Sequence, residues 1–130
     1  MKKKTKTWLE LAVNDLALAK ELLLRRKEKV YYIAHFCHQA VEKLLKAIIS
    51  ERTDKIPLPT HNFKILLDQA KLEDMPEDKK SFIFGLTPHY IGTKYPEDIA
   101  NLYKQYTRAF VKKLYGETEG VFEWLKAYLK

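Results

Sequence analysis

The stretch 32-YIAHFCHQAVEKLLKAII-49 carries two patterns on one helix. At 100° per residue, Ile33, Phe36, Cys37, Ala40, Val41, Leu44, Ala47 and Ile48 gather on one broad side, the apolar stripe of a helix laid on a core. On the opposite side His35, His38, Gln39, Glu42 and Lys46 recur at spacings of three and four. This ridge holds two imidazoles, an amide and both signs of charge. It is either a solvated face or a site.

Working outward, 130 residues with 46% hydrophobic content suffice for one domain with a real core. A formal charge of +7, from 24 Lys and Arg against 17 Asp and Glu, favours nucleic acid, nucleotides or acidic proteins as partners over basic ones. The charges are spread along the chain, so they point to no single patch. Cys37 is the lone cysteine; it cannot form an intrachain disulfide, and its place in the stripe makes it a small core residue. A reduced, cytoplasmic setting is expected. Glu10, Asn14 and Asp15 interrupt the run that a signal peptide needs, and no stretch reaches the roughly 18 apolar residues of a membrane span.

In chain order, Lys2 to Lys6 read as a frayed basic arm, with Thr5 or Thr7 capping a first helix that runs to about Arg26. Its expected inner stripe is Trp8, Leu11, Ala12, Leu18, Ala19, Leu22 and Leu23. Asp15 falls within that stripe, where an unpaired carboxylate would cost several kcal/mol, so it needs water or a partner such as Lys43, Lys46 or a histidine. A charged connector leads into the second helix, Val30 to Arg52, and a short link between long helices favours an antiparallel hairpin. The segment 53-TDKIPLPT-60 is the clearest break. Thr60 reads as the cap of a third helix to about Lys71, with Phe63, Leu66, Leu67 and Ala70 inward, and Pro76 opens a fourth, with Phe82, Ile83 and Leu86 inward. Residues 87–106 lose periodicity and read as a long, tyrosine-rich loop. Thr107 caps a last helix packed through Phe110, Leu114, Val121, Leu125 and Leu129, in which Gly116 and Gly120 would admit a close backbone neighbour. With no strand alternation and no repeats, the fold class is an all-α, four- to five-helix up-and-down bundle.

Four pieces then line up in order: Ala12, Asp15 and Ala19 on the first helix; the block His38 to Ala47; the Thr60-His61-Asn62-Phe63 cap; and Lys94-Tyr95-Pro96-Glu97 before a helix opened by Tyr106-Thr107. This order resembles the HEPN domain family, "higher eukaryotes and prokaryotes nucleotide-binding", in its small stand-alone prokaryotic members. The resemblance spans nearly the whole chain. It implies a helical bundle, a homodimer, and a minimal nucleotidyltransferase as partner in a toxin–antitoxin pair. Many such proteins are metal-independent ribonucleases that use an Arg and a His separated by four to six residues. Here Arg26 and His35, and likewise Arg52 and His61, are nine positions apart. Lys29 and Lys55 stand at the right distance from those histidines, yet lysine lacks the planar fork that grips phosphate. Lys94 likewise stands where relatives tend to carry arginine.

The expected nucleotide- or RNA-binding residues are therefore His38, Gln39, Glu42, Lys46, Lys94 and Tyr95, with Tyr90 alongside. Lys46 and Lys94 would attract phosphate, and Tyr95 would stack a base. Asp15 is assigned to the structural polar core. His35 and His38 lack the further acid or cysteine ligands of a metal site, so neither metal nor cofactor is expected. The enzymatic alternative is a ribonuclease with His38 or His61 as general base and a nearby Lys or Arg108 stabilising the phosphorane. A third reading is a dimeric scaffold. On sequence, binding is favoured over cutting.

Overall fold

The computed structural model describes residues 1–25, 30–94 and 99–130, with backbone alone for 91–94 and for Ile99. All regular elements among the described residues are helical. They are α1 (Lys3–Arg25), α2 (Tyr31–Arg52), α3 (Phe63–Gln69), α4 (Glu77–Phe84), α5 (Thr87–Lys94), α6 (Ile99–Gln105) and α7 (Arg108–Lys126), with a closing 3₁₀ turn at Ala127–Leu129. The all-α class is as expected, with more helices than four or five. The excess comes from residues 87–106, expected to be loop and in fact carrying α5 and α6. Pro88 lies in the first turn of α5, where its missing N–H costs nothing. The Lys94 side chain and Tyr95-Pro96-Glu97 lie outside the described residues.

α2 is the axis. Ile33, Cys37, Ala40, Val41, Leu44, Ala47 and Ile48 are fully buried as the apolar stripe requires, and Ala34, Leu45 and Ile49 are buried too. α1, α3, α5 and α7 all pack on this helix, so little of it meets water. The pairs Lys2–Glu51, Thr5–Glu51 and Asp15–Lys43 run in opposite senses along the two chains, which makes α1 and α2 an antiparallel hairpin. α7 lies on α2 in the same sense: Thr118, near the middle of α7, neighbours Cys37, and Arg52 lies over the ring of Tyr128 just beyond the end of α7.

Several local expectations are corrected. α1 begins at Lys3, so most of the basic arm is helical, and neither threonine is its cap. Thr5 is buried and donates to Glu51 at 3.0 Å; Thr7 bonds back to the Lys3 carbonyl. The buried stripe of α1 is Thr5, Ala12, Leu16, Ala19 and Leu23, at steps of seven, four, three and four, whereas Leu11 and Leu18 are 40% and 37% exposed. The helix is thus rotated toward Leu16, which places Asp15 at the rim of the interface, 2.6 Å from Lys43. In α3 the cap is Asn62, whose side chain accepts from the Ile65 N–H, while Thr60 accepts from Asn62 N–H one step earlier. Phe63, Leu66, Leu67 and Ala70 are inward as expected, as are Ile83 and Leu86, and Phe82 is partly buried. Thr107 does cap α7, accepting from Phe110 N–H at 3.2 Å. Phe110 itself is 42% exposed, and Val111 takes the core position in its place. Among the described residues no backbone approaches Gly116 or Gly120; a Cβ at either would meet none of their atoms within 4 Å.

The Thr53–Asn62 connection is not loose. Gln69 of α3 accepts from Leu58 N–H and donates to the Ile56 carbonyl, and Pro57 is buried. That clamp sets where His61 arrives beside α2.

Candidate functional site

The polar ridge of α2 is not a solvated face. His38 is fully buried, Glu42 is 3% exposed and Lys46 is 7% exposed, because α1 covers the ridge on one side and the α3 entry and α5 cover it on the other. Burying a carboxylate is costly unless its lone pairs are taken up. Here they are. Glu42 Oε2 accepts from the Lys46 ammonium at 3.2 Å, and Glu42 Oε1 accepts from His61 Nδ1 at 2.7 Å. The Lys46 ammonium lies 5.3 Å from the centre of the Trp8 ring, which closes it from the α1 side.

The carboxylate orients the His61 ring. An acceptor at Nδ1 places a proton there, and the Tyr90 hydroxyl lies 3.1 Å from Nε2. Tyr90 also stacks on the His61 ring, centroids 4.3 Å apart and planes 28° from parallel, and on His35 at 5.5 Å and 22°. Lys46, Glu42, His61 and Tyr90 therefore form a continuous chain of contacts from beneath Trp8 to the surface.

His38 stands behind this chain. Its Nδ1 faces two oxygens, Gln39 Oε1 at 3.3 Å and Glu42 Oε1 at 3.9 Å, so Nδ1 carries the proton. Nε2 has no hydrogen-bond partner among the described residues. Burial, with smaller contributions from His61, His35 and His89, outweighs the Gln39 bond and lowers the His38 pKa to about 4, so the ring is neutral at pH 7.

These groups border a cavity of about 410 Å³, walled by His38, His61, Phe63, Phe84 and Tyr90, with Thr60, Asn62, Lys64 and Thr87 completing it. Its walls are flat rings with a few polar atoms between them, the chemistry that accepts an aromatic ligand with hydrogen-bonding edges. Lys64 is exposed and, among the described residues, is the one cation that lines it.

Of the residues singled out from sequence, His38 and His61 line the cavity, and Glu42 braces His61 from behind. Gln39 is half-buried and engaged with His38. Lys46, expected to meet phosphate, turns its ammonium toward Glu42 and Trp8 instead. Arg108 opens α7 and does not line the cavity. Asp15 pairs with Lys43, away from the cavity. The Lys94 side chain and Tyr95 lie outside the described residues. Sequence reasoning missed Phe63, Phe84 and Lys64 as walls. Phe63 reads as a core residue by its period, and Lys64 carries a signal only in hindsight, as the cation next after His61-Asn62-Phe63.

No curated protein and no solved structure is significantly similar to the chain. The profile of the HEPN domain matches residues 5–128, nearly the whole chain and all the elements that build the cavity. The chain belongs to the HEPN domain family.

Proposed function

We propose that the chain is a single-domain nucleotide- or RNA-binding module that receives a base in the cavity between His61, Tyr90, Phe63 and Phe84. The observation that carries this reading is that the ridge of α2 is largely buried and that its His38, with His61 and Tyr90, lines an aromatic cavity. Stacking on such rings contributes about 1–3 kcal/mol per base. Lys64 at the cavity, with Lys94 as a further candidate, would meet the phosphates, and Tyr95 is kept as a candidate stacking residue. Gln39, Glu42 and Lys46 act from behind, by holding His38 and His61. Membership of the family supports a homodimer working with a minimal nucleotidyltransferase partner, as in toxin–antitoxin pairs, in the cytoplasm. Thermal shift with ATP, GTP and a short single-stranded RNA tests the binding. A ligand at 100 times its Kd should add about 2.7 kcal/mol of stability, and Tyr90→Ala should lose most of that gain. No shift with any of the three ligands rejects the reading and leaves the dimeric scaffold.

One observation favours a second reading, a metal-independent ribonuclease. A histidine whose Nδ1 is held by a carboxylate has its ring oriented in the way a general base requires. His61 fits that role better than His38, whose ring is fully buried and whose pKa falls to about 4. Cleavage of total RNA in EDTA that disappears in His61→Ala would establish it. The absence of any Arg at the spacing of the family's ribonucleases favours binding over cutting.

A further inference from the structure

At the far end of α2, Ser50 lies 12 residues beyond His38, about 18 Å along the axis. There the start of α1 meets the Thr53–Pro57 connection, and a second cavity of about 330 Å³ opens, lined by Ser50 together with Lys2, Lys3, Lys4 and Lys55. Its charge is only partly compensated. Asp54, the acid on its rim, is fully exposed and lies 3.8 Å from the Lys2 ammonium, which also donates to the Thr53 carbonyl. Glu51 is turned to α1, where it accepts from Thr5 and from the Lys2 N–H. Among the described residues no carboxylate pairs with Lys3, Lys4 or Lys55, and the first turn of α1 holds no acid.

Ser50 supplies a second, independent observation. The residue is 6% exposed, and its hydroxyl has no hydrogen-bond partner among the described residues. Its polar neighbours are engaged: Thr53 Oγ1 donates to the Ile49 carbonyl and accepts from Lys55 N–H. A buried hydroxyl left unpaired is disfavoured and calls for a partner. Beside three uncompensated ammonium groups that partner is an anion, since an O–H donor and lysine point charges together suit a multiply charged, tetrahedral oxyanion.

We propose that this pocket is a phosphate site, separate from the aromatic cavity, that takes a phosphate monoester or free phosphate. The Ser50 hydroxyl donates to one oxygen, and Lys3, Lys4 and Lys55 neutralise the charge. The distance from His38 places the site beyond the reach of a single mononucleotide bound at the first cavity. A terminal phosphate of a longer RNA and inorganic phosphate are the two sources to separate.

The full chain, labelled with ¹⁵N, is titrated with inorganic phosphate against chloride at matched ionic strength. Phosphate is expected to shift the amides of residues 2–4 and 50–55 and to leave those of 60–64 and 87–90 in place. Ser50→Ala removes an unpaired hydroxyl, so its Tm should equal or exceed the parent's, while its phosphate shifts disappear. Lys3→Gln with Lys55→Gln should lose them as well, and Tyr90→Ala should keep them. Fluorescence anisotropy then compares one RNA with a 5′-phosphate or a 5′-hydroxyl. A preference of about tenfold for the phosphorylated form, the equivalent of one charge-assisted hydrogen bond, assigns the site to an RNA end. Equal affinities with the amide shifts intact assign it to free phosphate. Shifts at the aromatic cavity alone, shifts matched by chloride, or shifts retained in Ser50→Ala overturn the proposal. Failure of RNA and nucleotides to bind while the phosphate shifts persist rejects only the reading of the first cavity.

Discussion

His61 Nδ1 and Glu42 Oε1 stand 2.7 Å apart across 19 positions of sequence, and this bond ties the Thr53–Asn62 connection to the buried face of α2. The same carboxylate holds Lys46 through its other oxygen. One side chain thus satisfies a buried ammonium below it and orients an imidazole above it.

Removing that carboxylate should be among the costliest single changes in the protein. Glu42→Ala leaves the Lys46 ammonium buried without its counter-charge, and breaking a buried pair from one side costs about 3–5 kcal/mol. Glu42→Gln keeps an acceptor and should cost less. Urea unfolding of the two variants checks this, and a Glu42→Ala loss below about 1 kcal/mol would contradict it.

Acid should weaken the fold through His38. Its ordinary pKa of 6.5 falls to about 4 on folding, mainly because burial disfavours the cation. Between those values the unfolded chain binds the proton and the folded chain does not. Stability therefore rises with pH across this window. The contribution is complete above about pH 6.5 and is lost as pH falls toward 4, on the order of 3 kcal/mol in all. His89, also lowered by burial, adds in the same direction. Denaturant midpoints at pH 7.5 and pH 5 should differ clearly in the parent and less in His38→Gln. An equal slope in both would place the titration elsewhere.

Asp15 and Lys43, 2.6 Å apart with side chains 15% and 23% exposed, form a half-buried pair. Its coupling should fall between exposed and buried pairs, about 1 kcal/mol, in a double-mutant cycle of Asp15→Ala and Lys43→Ala. A coupling near zero would mean that solvent screens the pair fully.

Cys37 should be inert in the native state. It is fully buried on α2, and burial pushes its thiol pKa up to about 12 despite the bond with Thr118. Iodoacetamide at pH 8 is expected to label it only as fast as the protein opens, and fully in urea. Labelling within seconds without denaturant would show that the α2–α7 contact breathes.

The all-α class, the axis formed by residues 31–52, the inward faces of α3 and the Thr107 cap were legible in the sequence. Each is set by local periodicity or by a side chain that reaches only three residues on. Residues 87–106 were misread because Pro88 and Gly92 signal a break, yet proline is tolerated in a first turn. The rotation of α1 toward Leu16 was decided by packing, since several apolar stripes coexist on a helix this rich in leucine and alanine.

The candidate site divides along the same line. Sequence alone placed His35, His38, Gln39, Glu42 and Lys46 on one ridge, because helical geometry settles which side chains share a face. Only the tertiary structure decided that the ridge is buried, that Glu42, already in reach of Lys46 on the same helix, also holds His61, and that Tyr90 and Phe63 turn the adjoining space into an aromatic cavity. Those outcomes depend on how the Thr53–Asn62 connection folds back over α2 and on the docking of α5. They are contacts between residues far apart in the chain, and a single sequence read by its periods does not encode them.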